Sequence, residues 1–345
     1  MRQKLNSLFA CLGLFCTADV AAQKQAITFN RHPAEKKIDI LVGNKMFTSF
    51  LYTEKLEKPV LFPVLANHQV DVTRGFPLQP KNGDPTDHPH HIGIWFNFEN
   101  LNGLDFWNNS YAIPAEKKSA YGWIKTDPKI ETDAKTGVLA YRARWTNQKD
   151  ETLLIESTKL TFNAAGDYRI IDRETTLTAS TAVTFTDAKD GMLAIRLAHE
   201  LQIPTDKDQK FTDDKGNVTL IKGGTDLVAN GNYLTSIGKT GDAAWSTRAS
   251  WCMAFGKMGN DSVSVIIIDH PKNINYPTYW HARGYGLFAA NPLGEKIFTN
   301  GASAKNLQLK KGESATFRFR IVVNAGPGLP SPQQIEQWAA AFAKK

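Results

Sequence analysis

The sequence predicts an all-β protein, a large two-sheet β-sandwich with one C-terminal helix. Three observations carry this. Apolar and polar residues alternate with period two along most of the chain. Turn residues interrupt the alternation at intervals of about 8–12 residues. Helical periodicity is confined to the C-terminal end.

Residues 138–147 (VLAYRARWTN) set the pattern, with Leu139, Tyr141, Ala143 and Trp145 on one face. Segments 152–162 and 168–179 repeat it and are rich in Thr, Ile and Leu; 192–203 and 315–323 look similar. Residues 262–269 contain VSVIIID, a continuous apolar run expected of a strand buried on both sides. The breaks come from Asn82-Gly83-Asp84, the stretch 164–167, Asp190-Gly191, the stretch 215–217 and Gly259-Asn260-Asp261. Residues 206–232 are polar and glycine-rich, which reads as a long loop or an irregular hairpin. At the end of the chain, Ser331 is placed as N-cap and Pro332 at the first helical position. They open a helix over 333–343 whose Ile335, Trp338, Ala339 and Phe342 form one apolar stripe.

Arg2 and Lys4, the apolar run 8–16 and Val20-Ala21-Ala22 have the layout of a secretory signal peptide cut after Ala22. The expected organisation is a leader over 1–22 and a single β-sandwich domain over 23–345, secreted or periplasmic. A lipid anchor on Cys11 or Cys16 is the alternative, although neither has well-placed neighbours. No later run reaches the ~18 apolar residues of a membrane helix. Removal of the leader takes two of the three cysteines with it and leaves Cys252, so no internal disulfide is expected. The net charge of +7 is carried by lysines scattered singly or in pairs. Without a basic cluster this bears on solubility and weak association, and no nucleic-acid partner is expected.

The chemistry is concentrated in residues 87–97, DHPHHIGIWFN, which place His88, His90 and His91 beside Asp87. Imidazole titrates near neutrality and is the commonest metal ligand, so three beside a carboxylate point to catalysis or metal binding. The plainer reading is a polar loop leading into a buried strand. Two further segments are unusually specified. In 102–107 (NGLDFW), Asn102-Gly103 is a tight turn, Asp105 sits among large apolar residues, and Trp107, with Trp95 nearby, offers aromatic surface for a sugar ring. Filling of the core is the competing role for these aromatics. In 275–294, a strand through 280–288 would set His281, Arg283 and Tyr285 on one face, with Tyr279 and Asn291 at its margins. A solvated face with an arginine–aspartate pair is the competing reading.

Four stretches resemble the DUF6807 family, which carries the legacy label "methane oxygenase PmoA". They are the K-P-x-x-x-P segment at 58–63, the D-H-P-H-H-x-G-x-W-F run at 87–96, the N-G-x-D-F-W at 102–107 and the W-H-x-R-x-Y-G-L-F-x-x-N-P-x-G block at 280–294. Ile92 stands where the family pattern often has a basic or small residue. The resemblance implies secreted bacterial β-sandwich proteins associated with carbohydrate metabolism, and a fold similar to the galactose-mutarotase-like supersandwich. It does not support the methane label, because particulate methane monooxygenase is a membrane copper enzyme and this chain has no membrane span.

The expectation is therefore an exported enzyme of the lyase, epimerase or hydrolase type acting on a glycoside or modified sugar. His90 or His91 and His281 would be the acid/base pair, with Asp87 orienting a ring nitrogen. Arg74 and Arg283 would hold a carboxylate, keto oxygen or hydroxyl. Trp95, Trp107 and Tyr279 would stack on the sugar, and Asn102, Asp105, Tyr285 and Asn291 would complete the binding set. Two variants remain open. His88 and His90 with His281 or Glu200 could hold a divalent metal, or the domain could be a non-catalytic sugar-binding module.

Overall fold

A computed structural model describes residues 25–212 and 218–345. The predicted leader over 1–22 lies outside the described residues. Two eight-stranded antiparallel sheets pack face to face. The first runs in spatial order Ile27–His32, Lys37–Val42, Lys45–Leu51, Val60–Val64, Ile94–Phe98, Gly191–Arg196, Leu287–Asn291, Tyr279–Ala282. The second runs Asn232–Thr235, Trp251–Met258, Asp261–Asp269, Ser314–Gly326, Tyr168–Ala179, Thr152–Ala165, Val138–Thr146, Trp123–Asp133.

The alternation read from sequence decides which faces meet. Leu139, Tyr141, Ala143 and Trp145 all point into the core between the sheets, with Ile94, Phe96 and Phe98 opposite them in the first sheet. The run at 262–269 is buried on both sides because both of its faces are covered. Val263, Val265 and Ile267 face the inter-sheet core, while Ile266 and Ile268 face outward under Ile335 and Phe342 of the helix Pro332–Phe342. Ser331 caps that helix by accepting a hydrogen bond from Gln334 N at 3.2 Å. Among the described residues no helix is long and apolar enough to cross a membrane.

Two predicted strands end early. The stretch 192–203 is a strand only to Arg196 and then enters a 3-10 turn, His199–Leu201. The strand expected through 280–288 is instead a hairpin that turns at 283–286, where Arg283 N donates to Leu287 O at 2.8 Å. Gly286 makes that turn possible with φ +86, a value L side chains rarely adopt. The polar stretch 206–232 holds a short hairpin, Gln209–Thr212 with Val218–Ile221.

The inter-sheet core is not wholly apolar. Glu156 is fully buried and accepts from Tyr141 Oη (2.8 Å), Arg173 Nη2 (2.8 Å), Thr158 Oγ1 (2.7 Å) and Trp145 Nε1 (2.9 Å). The Arg173 guanidinium also lies over the Phe96 ring of the opposite sheet, 4.5 Å from its centre. The network is well satisfied, so removing one partner costs more than removing both. Arg173→Met should destabilise the fold by about 3–5 kcal/mol by leaving a buried carboxylate without its counter-charge. Arg173→Met combined with Glu156→Gln should recover much of that loss, as read from the midpoints of urea unfolding.

Candidate functional site

The long connection between the strands Val60–Val64 and Ile94–Phe98 carries the histidine loop across the outer face of the first sheet. Strand register sets the floor beneath it. Trp95 pairs with Ala194, Ala194 is in the strand beside Ala289, and Ala289 pairs with His281. This row crosses four strands, so Trp95 and His281 are about 14 Å apart along it at the usual strand spacing. His91 lies over the Trp95 end, its ring stacked on the indole at 5.3 Å.

Arg74 shapes the loop from inside. It is 1% exposed. Its Nη1 donates to the carbonyls of Pro85 (3.0 Å) and Asp87 (2.6 Å) and to Asp87 Oδ1 (3.2 Å); its Nη2 donates to the carbonyls of His88 (2.9 Å) and His91 (2.8 Å). A guanidinium presents five donors in a fixed fork, and here the fork satisfies carbonyls the loop would otherwise bury unpaired. A substrate-holding role for Arg74 is therefore corrected, because the group is enclosed and committed to the backbone. Arg196, also fully buried, donates from Nη2 to Asp87 Oδ1 at 2.6 Å, with its Nη1 3.3 Å from His91 Nδ1. Burial pushes the Asp87 carboxyl up, but Arg196, the His88 hydrogen bond and Arg74 outweigh it and hold it well below the usual carboxylate range.

Asp87 orients a histidine, and that histidine is His88. The His88 Nδ1 meets Asp87 Oδ2, and a carboxylate can only accept, so Nδ1 carries the proton. Nε2 is left as an acceptor in the neutral ring. His88 is the histidine of the cluster most open to solvent, its side chain 43% exposed. It sits at φ +48, a left-handed conformation for a non-glycine residue. Such strain costs on the order of 1–3 kcal/mol and persists only where the surroundings over-determine it. The grip of Arg74 on the His88 carbonyl is that constraint. The Tyr285 ring stacks on His88 at 5.1 Å and 5°, and burial pushes its phenol up to about 12.

The other three histidines are enclosed. His91 faces the Arg196 guanidinium at Nδ1 and the Trp107 indole N–H at Nε2, 3.3 Å from each. Both groups are obligate donors. Burial first, then the neighbouring His90 and Arg196, hold its pKa far below the ordinary imidazole value. His90 is driven down to about 2 by burial and by Lys58. His281 is held down to about 3 by burial and by Lys189, with Nδ1 donating to Lys189 O at 3.0 Å. Burial disfavours the charged form in all three, and it encloses His90, His91 and His281, the expected acid/base candidates, away from solvent. Trp95 and Trp107 are likewise enclosed, at 0% and 1% exposure, and neither offers a face to a sugar.

The remaining predicted residues fall into separate places. Asn102 is exposed and pins residues 182–184, donating to Ala182 O at 3.2 Å and accepting from Thr184 N at 2.7 Å. Asp105 accepts both hydrogen bonds it receives here from Asn108, and burial raises its pKa. Tyr279 stacks on Phe298 at 5.2 Å, and Asn291 donates to the carbonyls of Ala188 and Lys189. Arg283 projects from the hairpin tip against Trp245, 4.5 Å from its ring, and lies 5.9 Å from the Tyr285 ring. Glu200 belongs to the 3-10 turn after Arg196. Among the described residues no three His, Cys, Asp or Glu side chains converge as a metal site would need.

The sequence pattern of a family of unknown function, DUF6807, matches residues 37–340. The chain belongs to DUF6807. No curated protein matches it in sequence. Among solved structures, an α-galactosidase from Geobacillus stearothermophilus is 10% identical with a TM-score of 0.38, over 87% of this chain and 41% of that one. A polysaccharide lyase aligns at 10% identity and 0.36, over 94% of this chain and 35% of its own. A protein from Synechocystis sp. PCC 6803 aligns at 11% and 0.35, over 89% and 98%. The chain spans less than half the length of the first two.

In this DUF6807 chain the four motif stretches meet at the histidine loop. Lys58 of the first donates to His90 O at 2.8 Å from a fully buried position, Trp107 of the third donates to His91, and Tyr285 of the fourth stacks on His88. Sequence reasoning reached Lys58 only as the first residue of a family motif and passed over Trp245, Glu99 and the Lys189-Asp190 pair. Asp190-Gly191 signals a turn and nothing more. Yet Asp190 stands 3.3 Å from His281 and, after burial, is the main influence raising the Glu99 carboxyl to about 7. Trp245 follows the short 3-10 segment Gly241–Ala244, with no periodicity to flag it.

The neutral state of His281 has a consequence for stability. Its folded pKa is depressed to about 3 while the unfolded ring titrates near 6.5. The unfolded chain therefore binds a proton first as pH falls, and stability is lost between pH 6.5 and 3 at about 1.4 kcal/mol per pH unit for this one ring. His281→Gln should flatten the pH dependence of unfolding free energy by about one proton between pH 6 and 4, measured by denaturant titration at successive pH values.

Proposed function

We propose that this protein is an exported carbohydrate-active enzyme in which His88 moves a proton to or from the substrate. The observation that carries the reading is the Asp87–His88 pair. Nδ1–H is committed to a carboxylate that two buried arginines fix, and the His88 side chain is open to solvent. A base oriented by a second group is the usual arrangement for general acid–base catalysis. Such a base takes a proton from carbon beside a carbonyl or carboxylate, which is the step shared by epimerisation and elimination.

The surroundings support a polyhydroxylated substrate. The Tyr285 phenol, kept protonated by burial, is a hydrogen-bond donor beside His88. Arg283, 5.9 Å from the Tyr285 ring, adds a cationic donor next to that phenol. Hydrolysis by paired carboxylates is less well supported. Asp87 is locked to Arg74, Arg196 and His88 and is not free to attack or to protonate a leaving group. Export rests on the basic and apolar layout of residues 2–22. The enclosure of His90, His91 and His281 favours a second reading, in which the loop is a rigid scaffold for sugar binding without turnover.

Incubation in D2O with neutral sugars, uronates and keto-sugars separates the two. The proton-transfer reading expects deuterium at a sugar carbon, followed by proton NMR. His88→Ala should slow that exchange about 100- to 10,000-fold, with an unchanged far-UV spectrum and melting temperature. Sugars that bind saturably and never exchange would establish the binding module instead.

A further inference from the structure

Beside the His88 site is a cavity of about 400 Å³, within the range of small-molecule sites, lined by Gln202, Thr205, Lys207, Asp242, Trp245 and Arg283 with the edge of Tyr285. Two features of its lining are unexplained by the fold. The first is Arg283. Its guanidinium lies against the Trp245 face at 4.5 Å and is 5.9 Å from the Tyr285 ring. Among the described residues it has no hydrogen bond to a protein acceptor and no carboxylate within ion-pair distance, Asp242 included. The second is Gln202, which is 1% exposed and has its side-chain nitrogen buried without a partner. Buried amide donors are almost always satisfied, so an unpaired one in the wall of a cavity marks a place for an acceptor.

The arginine is also held ready. The Arg283 carbonyl accepts from Tyr233 Oη at 3.0 Å and from Gly286 N at 2.9 Å, and Gly284 O accepts from Ile203 N at 2.9 Å. The hairpin tip is thereby tied to the Asn232–Thr235 strand of the opposite sheet and to the chain after Leu201. With aromatic surface against the guanidinium plane, its N–H edge is what remains for hydrogen bonding. That edge matches a carboxylate in bidentate geometry.

We infer that this cavity is a subsite for an acidic sugar unit, a uronate, whose carboxylate takes the N–H edge of Arg283 and whose hydroxyl or ring oxygen takes the amide of Gln202. Lys207 adds a second positive charge at the exposed side, and Asp242 is placed to accept from sugar hydroxyls. This names the substrate class of the proposed enzyme and rests on that reading only for what happens at His88. Tyr285 lies at both sites, so a sugar seated here presents its neighbour to the Asp87–His88 pair.

Isothermal titration of the full chain with the methyl glycosides of glucuronate and galacturonate, against methyl glucoside and methyl galactoside, tests it directly. At least one uronide should bind saturably and at least ten times more tightly than its neutral counterpart. Arg283→Met should weaken that binding about 10- to 100-fold, the usual worth of a charge-assisted pair, with the melting temperature unchanged. Arg283→Lys should fall between. Equal affinity for acid and neutral sugars, uronide binding indifferent to Arg283→Met, or no saturable binding of either uronide would each overturn the subsite. The two readings fail separately, since His88→Ala slows deuterium exchange and leaves uronide affinity in place.

Discussion

Two guanidiniums close on one carboxylate beneath the histidine loop, and the geometry above them follows from that contact. Arg74 comes from the connection before the loop, Arg196 from the end of a strand more than a hundred residues later, and Asp87 lies between them. Burying two arginines around a single acid is costly in isolation. It is offset by the carbonyls of Pro85, Asp87, His88 and His91, which turn toward Arg74 and would otherwise be unsatisfied. The loop thus takes its shape from a polar centre, and the strained backbone of His88 is one result.

That centre also sorts the histidines. Rings turned inward, His90, His91 and His281, are enclosed, and burial disfavours the charged form of each. The ring turned outward, His88, meets the Asp87 carboxylate. A cluster of three like residues in sequence is in this way divided into one exposed group and two enclosed ones. Gly93, which follows directly, lets the loop enter its strand: it has φ +55, and a Cβ there would come within 2.2 Å of Leu61 O.

The outer face of the first sheet is a suitable platform because its floor is small and flat. Ala194 and Ala289 occupy the row between Trp95 and His281, so the layer above can approach the backbone closely. Tyr285 and Trp107 use that room. The hairpin tip that carries Arg283 and Tyr285 is anchored from the other sheet by Tyr233, so the sandwich as a whole, and not one sheet alone, positions the exposed groups.

Much of the fold was legible because period-two alternation is a direct consequence of strand geometry. The strands around Leu139–Trp145, the doubly buried run at 262–269 and the Ser331-Pro332 helix start each follow from local sequence. So does the concentration of chemistry in four short stretches. What the sequence could not determine is which of those residues face water. Trp95, Trp107 and Arg74 look like ligand-binding residues by type, and burial makes them framework. His88 looks interchangeable with His90 and His91, and only the juxtaposition of Arg74, Arg196 and Asp87 distinguishes it. Arg196, Gln202 and Trp245 gain their meaning from neighbours brought together across strands. Residue type and spacing are local properties, whereas exposure, hydrogen-bond partners and acidity are set by contacts between distant segments, and for this protein those contacts exist only in the folded sandwich.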